Sequence, residues 1–167
     1  VGSLSWIATM FRSGSLTEYG LSFWGANGHD GVWHISLANS LSQGKFELPI
    51  FAGTSIKNYH IGFDLLLALL HKVTVISLND LYFRFLPVLF SLSIGFLVYK
   101  LLESLKWNES QIFWSLFFVY FGGNFAITFG GESTFWSSQA ISTLINPPFA
   151  MSLIFILLGL IFLQNKK

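Results

Sequence analysis

The hydrophobic positions of this chain are grouped into long, nearly uncharged runs in its second half. A helix that crosses a bilayer needs about 20 mainly apolar residues. Three stretches approach that length, at residues 81–102, 111–129 and 147–163. The first has Arg84 and Lys100 near its ends, where long basic side chains can reach the lipid headgroups. The pattern therefore predicts three membrane-spanning helices.

The first eighty residues show a different pattern, with short apolar segments separated by glycine, serine and proline. From residue 31 to 43 the apolar side chains recur at the spacing of an amphipathic helix that lies on a membrane surface. A second amphipathic helix is predicted at residues 58–70, and it is too short to cross the bilayer. Residues 13–28 and 45–57 are rich in turn-forming residues and are expected to be loops.

The composition is that of a membrane protein. Hydrophobic residues make up 53% of the chain and charged residues only 10%, whereas a soluble domain carries about 25% charged residues. So few charged residues cannot cover the surface of a soluble fold of this size, and lipid must therefore cover its apolar part. The net charge of +1 gives no reason to expect a nucleic-acid partner. The absence of cysteine excludes disulfides, thiolate catalysis and cysteine metal sites.

The expected fold class is all-α: a polytopic helical membrane protein whose first loop contains juxtamembrane amphipathic helices. Lys100 and Lys106 lie between the first two predicted spans, and two further lysines follow the third. Positive charge near span ends favours the cytoplasmic side, so residues 1–80 are predicted to be extracytoplasmic. The chain begins at Val1 and stops soon after an apolar run, and we expect it to be a fragment of a longer protein.

The scarce polar side chains of the first eighty residues fall in two short segments. Asp30 lies four residues before His34, so the two would share one face of the first amphipathic helix. In the second segment His60 and Asp64 are again four residues apart, with Tyr59 beside them. Two acid–imidazole pairs at one membrane surface could deprotonate an alcohol, orient a phosphate or hold a divalent cation.

Structural roles compete with these interpretations. Asp30 could be a plain N-cap of its helix, and His34 and His60 could be interfacial side chains bonded to the backbone. Asp64 precedes an apolar run, where an unpaired carboxylate would be costly, so a purely structural role fits it less well. Glu132 is assigned to a loop, with an active-site acid as the alternative. A metal site built from Asp and His ligands fits the spacing only weakly.

The segments GHDGVWH and PIFAGTSIKNYHIGFDLLLALL resemble the first outer loop of bacterial members of the GT-C superfamily of membrane glycosyltransferases. The resemblance covers residues 20–80 by motif and the rest of the chain by hydropathy. It implies a polyprenyl-phosphate sugar donor, transfer on the extracytoplasmic side, and a general base or metal-associated carboxylate at Asp30. It also implies a membrane helix ahead of this loop, so the fragment alone is expected to be inactive. Many members have a paired acidic motif where this chain has His29 and Asp30, which leaves metal use open.

The predicted activity is sugar transfer from a lipid-phosphate donor to an acceptor hydroxyl at the inner or plasma membrane. The expected partners are the lipid-linked donor and membrane lipid. No cofactor is expected other than a divalent cation, which the spacing would allow. Asp30 would take the proton of the acceptor, and Asp64 would orient His60. The residues predicted to bind substrate are His29, His34, Tyr59, His60 and Asp64.

Two other functions are weighed against this one. A transporter or non-enzymatic scaffold is the alternative from another class, but ion transport favours charges near the middle of a span. The predicted spans carry none there. A lipid-linked oligosaccharide ligase or polymerase would use the same kind of donor in the same compartment, and it stays open at this point.

Overall fold

The computed structural model describes residues 1–51, 53–122 and 139–166, which are mostly helical. The elements in chain order are α1 (Gly2–Phe11), β1 (Ser15–Thr17), β2 (Gly20–Ser22), a 3-10 turn (Gly25–Gly28), α2 (Asp30–Ser42), α3 (Gly62–Thr74), α4 (Leu78–Ser104), α5 (Glu109–Phe121), α6 (Gln139–Leu144) and α7 (Pro147–Asn165). The chain divides into two compact units. We call Met10–Leu86 the loop unit, and Val1–Thr9 with Pro87–Lys167 the span unit.

Two of the described helices, α4 and α7, are long and apolar enough to cross a membrane. They have 27 and 19 residues, or about 40 and 28 Å at 1.5 Å per residue, against a hydrocarbon core of about 30 Å. They contain the predicted spans 81–102 and 147–163, so long apolar helices are confirmed at both positions. Only 11% of the apolar window of α7 is buried. A helix with so much exposed apolar surface is suited to a lipid environment.

The predicted span at residues 111–129 is described only in part. A capping box between Asn108 and Gln111 starts α5 at Glu109. The helix ends at Phe121, because Gly122 adopts extended dihedral angles (φ −61°, ψ 149°). Its 13 residues span about 20 Å, which is shorter than the bilayer core. Residues 123–129 of the predicted span lie outside the described residues. Glu132, which is assigned to the following loop, lies outside them as well.

The span unit is organised around Tyr120 of α5. Its hydroxyl donates to the carbonyl of Ser91 at 2.7 Å and accepts from the hydroxyl of Ser3 at 3.0 Å. The indole of Trp6 donates to the carbonyl of Tyr120 at 2.9 Å. Any side chain at Gly95 would overlap the Tyr120 hydroxyl, so a glycine is needed where α4 passes the ring. One tyrosine thus connects α1, α4 and α5.

The loop unit contains a hairpin that the sequence does not predict. β1 and β2 pair antiparallel between residues 13 and 28, where only loop is expected. Strands of three residues are too short to show an alternating pattern. Arg84 of α4 donates to the carbonyl of Ser13 at 2.7 Å and to the hydroxyl of Ser15 at 2.9 Å. The guanidinium that was expected to reach the headgroups therefore anchors the start of the hairpin.

The core of the loop unit lies where α2 and α3 pack on each other and on the first turns of α4. Its fully buried side chains include Leu37, Phe63, Leu67 and Phe83. A Cβ atom at Gly31 would lie 2.7 Å from the ring of Phe83, so the missing side chain is what lets α2 approach that ring. This packing sets the positions of the polar side chains described next.

Candidate functional site

A buried imidazole–carboxylate pair joins α2 to α3. Nδ1 of His34 and Oδ1 of Asp64 are 2.7 Å apart, and the two side chains are 6% and 0% exposed. Asp64 lies in the first turn of α3, where the positive end of the helix dipole favours a carboxylate. Burying a charge is costly unless it is paired. Each of the two polar side chains is therefore stable inside the core only because it is bonded to the other.

The sequence predicts a different pairing, with Asp64 orienting His60 along one helix face. The structure contradicts this, because α3 begins at Gly62 and His60 lies before it. Asn58 has a φ of +55°, a left-handed conformation that a right-handed helix cannot include. The predicted helix start at residue 58 is therefore four residues too early. Asp64 bonds a histidine of the neighbouring helix instead of one in its own segment.

Aromatic rings surround the buried pair. The ring of Phe63 meets that of His34 edge-on at 5.6 Å, and the ring of Tyr82 stacks on it at 6.1 Å. Tyr82 lies in a five-residue π-helical stretch of α4 (Leu81–Phe85), a feature that is frequent at functional sites. Oδ2 of Asp64 and the hydroxyl of Tyr82 are buried without a hydrogen-bond partner. Three other buried polar atoms among the described residues, on Asn27, Asn79 and Thr143, are also unpaired, so this feature is not specific to the pair.

The second acid–imidazole pair is open to solvent. Nδ1 of His29 lies 2.8 Å from Oδ1 of Asp30, and the side chains are 91% and 37% exposed. The N-cap of α2 is His29, and no side chain caps this helix end. The alternative role of Asp30 as a plain N-cap is therefore wrong. Asp30 occupies the first turn of α2, a favourable position for an acidic side chain, and solvent reaches it.

Tyr59 contacts α2, the helix that carries Asp30 and His34, through Trp33. The indole nitrogen of Trp33 donates to its hydroxyl at 2.8 Å, and the ring of His60 stacks on it at 4.5 Å. Burial raises the pKa of Tyr59 above its ordinary value, and the charges of Asp64 and Asp30 raise this pKa further against the opposing effect of the Trp33 hydrogen bond. The Tyr59 phenol is accordingly protonated near neutral pH. No described side chain accepts its proton, so it can donate to a ligand.

The predicted site residues divide into a centre and a rim. His34 bonds Asp64, Trp33 of the same helix bonds Tyr59, and Asp30 lies in the first turn of that helix. His29 and His60 are exposed and form the rim.

Two further residues of the site, Trp33 and Tyr82, are not identified from the sequence. Trp33 counts as an apolar residue of an amphipathic helix, and Tyr82 is part of a predicted span. The only sequence signal for either is its polar ring atom, which periodicity does not register.

Among the described residues, no group of three or more histidine, aspartate or glutamate side chains is arranged to hold a metal ion. A three-ligand cation site at this position is therefore not supported by the side chains that the structure describes. No known protein family, characterised protein or solved structure matches this chain.

Proposed function

We propose that this protein is a membrane glycosyltransferase of the GT-C type, which moves a sugar from a lipid-phosphate donor to an acceptor hydroxyl. The observation that carries the proposal is that α2 carries the accessible carboxylate of Asp30 and, on the same helix, Trp33 and His34, which bond Tyr59 and Asp64. The chain is otherwise poor in charge. Tyr82, at the N-terminal end of the long apolar helix α4, stacks on the ring of His34. A polar site beside the end of a membrane span suits a substrate with a lipid tail and a polar head.

Asp30 is the general base of the proposed reaction. Its carboxylate is accessible, lies at a helix N-terminus and is bonded to His29. The acceptor hydroxyl gives its proton to Asp30 while its oxygen bonds to the anomeric carbon of the donor sugar. The bond from that carbon to the phosphate oxygen breaks at the same time, and the lipid phosphate leaves with the electron pair. The proton then passes to solvent through the exposed imidazole of His29.

Tyr59 and His60 bind the leaving phosphate in the proposed reaction. Like any phenol, Tyr59 is protonated near neutral pH, and burial raises its pKa further. Its hydroxyl already accepts the bond from Trp33. Its O–H group is free to donate, and in the proposed reaction it donates to a phosphate oxygen, on which negative charge grows as the glycosidic bond breaks. The exposed ring of His60 adds a positive charge next to it when it is protonated.

The His34–Asp64 pair has a supporting role in this mechanism. It is too deeply buried to meet a substrate directly. It joins α2, which carries Asp30, to α3, which follows Tyr59 and His60. A fixed distance between base and phosphate-binding groups is what positioning requires. No step is assigned to a divalent cation, because the described side chains supply no three-ligand set.

The proposed topology is polytopic, with the site on the extracytoplasmic face. Three lysines lie at the same ends of the spans if the helices alternate in direction: Lys100, Lys106 and Lys166. Positive charge favours the cytoplasm, so the opposite ends, near the site, would be extracytoplasmic. A lipid-phosphate sugar presented on the outer side would then reach Asp30 from the bilayer.

Sugar transfer by the full-length protein tests the proposal. Membranes containing wild-type or Asp30→Asn protein are given a panel of radiolabelled polyprenyl-phosphate sugars, and release of labelled sugar to acceptors is followed. Transfer by the wild type and a loss of about 10²-fold or more in the variant are expected, which is the usual contribution of a general base. Absence of transfer with every donor would overturn the proposed activity. Full turnover by the variant would remove Asp30 from the mechanism.

A further inference from the structure

A cavity of about 280 Å³ lies within the span unit, outside the site described above. It is lined by residues of five helices: α1, α4, α5, α6 and α7. Along α7 the lining extends from Phe149 to Leu157, a rise of about 12 Å. Every described lining residue except Thr143 is apolar or aromatic. Apolar cavities about half this size exclude water and bind benzene. The cavity is therefore suited to a hydrocarbon chain.

Thr143 of α6 is the polar exception in this lining. Its side chain is completely buried, and its hydroxyl has no hydrogen-bond partner. The indole nitrogen of Trp6, which also lines the cavity, already donates to the carbonyl of Tyr120. A buried hydroxyl without a partner is costly. Because Thr143 lines a cavity, there is space beside it for an acceptor oxygen of a ligand. The lining thus fits a hydrocarbon chain that carries one such oxygen.

The same lining limits the class of lipid. No described lining residue is charged, so a carboxylate or a phosphate inside the cavity would be an unpaired buried charge. A polyprenyl chain has no oxygen apart from its phosphate, and it would leave the Thr143 hydroxyl unpaired. An ester-linked acyl chain has a neutral carbonyl oxygen where its hydrocarbon begins. Thr143 lies four residues before Pro147, where α7 starts, so the hydroxyl belongs to one end of this helix. Ester groups likewise lie at the edge of the hydrocarbon core.

We infer that the cavity binds an acyl chain of a membrane glycerolipid. The ester carbonyl accepts a hydrogen bond from Thr143, and the hydrocarbon lies along α7 between Phe149 and Leu157. A ligand that binds only the folded state stabilises it, so the bound chain holds the five helices together. This inference does not rest on the proposed sugar transfer, because it needs neither donor nor turnover.

The test compares an ester lipid with an ether lipid. Full-length protein is depleted of lipid in detergent, and diacyl phosphatidylcholine or its dialkyl ether analogue is added back. Native mass spectrometry measures the bound lipid. The two lipids differ only at the ester carbonyls, so the wild type should bind the diacyl lipid about tenfold more tightly, the effect of one hydrogen bond. Thr143→Val keeps the shape of the side chain without its hydroxyl and should bind both lipids equally.

A filling substitution and its matched control test where the chain lies. Val98→Phe enlarges a side chain that lines the cavity and should weaken the binding of both lipids by the same factor. Leu92→Phe enlarges an exposed side chain of the same helix that is not part of the lining, and it should leave both affinities unchanged. Thermal unfolding of each variant is recorded so that a loss of binding is read only from folded protein.

The inference is overturned if the wild type binds neither lipid or binds both equally, or if the preference for the ester persists in Thr143→Val. Unchanged binding by folded Val98→Phe would place the lipid elsewhere and overturn it as well. Polyprenyl phosphate should not displace the diacyl lipid at equal concentration, and displacement would assign the cavity to the tail of the donor instead. A protein that binds the ester lipid as expected but transfers no sugar would overturn only the proposed function.

Discussion

The loop unit holds two acid–imidazole pairs of nearly the same local geometry in opposite surroundings. In each, an aspartate in the first turn of a helix bonds Nδ1 of a histidine, at 2.8 Å for Asp30 and His29 and at 2.7 Å for Asp64 and His34. The first pair is open to solvent and the second is almost completely buried. An exposed carboxylate can exchange a proton with a substrate, whereas a buried one mainly fixes the elements that carry it. Burial, rather than spacing, separates the two roles.

The largest expected effect on stability comes from breaking the buried pair. Asp64→Ala leaves His34 without its partner among buried aromatic rings. Such a loss should lower the free energy of unfolding by about 4 kcal/mol. Chemical denaturation in detergent measures it. Glu18→Ala removes an exposed carboxylate from the turn between β1 and β2 and should leave the unfolding free energy unchanged. Equal stability of the two variants would show that the buried pair does not join α2 to α3.

The close approach of α2 to α4 should be the next most sensitive feature. Gly31→Ala places a methyl group 2.7 Å from the buried ring of Phe83, and such overpacking costs about 1–3 kcal/mol. Gly159→Ala is the matched control, because nothing lies within 4 Å of its added carbon. A thermal unfolding scan should show a lower midpoint for the first variant only. An unchanged midpoint for Gly31→Ala would contradict the packing that positions Asp30.

Tyr59→Phe is expected to have a smaller effect, mainly on activity. Loss of one phosphate-directed hydrogen bond should lower kcat/KM by about tenfold, while Tyr19→Phe at an exposed position should leave it unchanged.

Because the pKa of Tyr59 is raised from 10.0, the folded state holds this proton more tightly than the unfolded state. Its contribution to stability is complete below pH 10 and declines as the pH rises further. The wild type should therefore lose more stability than Tyr59→Phe as the pH rises above 10.

The smallest effect is expected at the rim. His29→Ala removes an imidazole that is 91% exposed, and exposed pairs contribute little to stability. Unfolding should be unaffected, and turnover should fall by no more than about threefold, since solvent can accept the proton from Asp30 directly. A loss of turnover as large as that of Asp30→Asn would show that His29 is needed for proton transfer and is not replaceable by solvent.

The sequence predicts those features that depend on one segment alone. Hydrophobic length identifies α4 and α7, and the amphipathic spacing places α2 within one residue of its bounds. The pairing of Asp64 is different in kind. It depends on the left-handed conformation at Asn58, which moves His60 off the helix, and on the packing that brings His34 to Asp64. Neither appears in a periodic pattern, because both arise from contacts between segments.

The sequence also does not identify the aromatic residues of apolar segments whose polar atoms belong to the site. Tyr82 looks like part of a membrane span, yet its ring stacks on His34 and its hydroxyl is buried without a partner. Trp33 looks like a lipid-facing residue, yet it bonds Tyr59. Only the three-dimensional arrangement distinguishes these rings from the other aromatic residues of the chain.

The central claim, that the open carboxylate acts chemically and the buried one structurally, is tested most directly by comparing Asp30→Asn with Asp64→Asn. For each variant, sugar transfer by the full-length protein and its unfolding free energy are measured on the same preparation. The account predicts that Asp30→Asn loses turnover by about 10²-fold or more at unchanged stability. It predicts that Asp64→Asn loses stability and that its turnover per folded molecule falls far less than that of Asp30→Asn, because the pair positions the reacting groups and does not itself react. The reverse assignment, with Asp30→Asn fully active and Asp64→Asn stable but inactive, would contradict it.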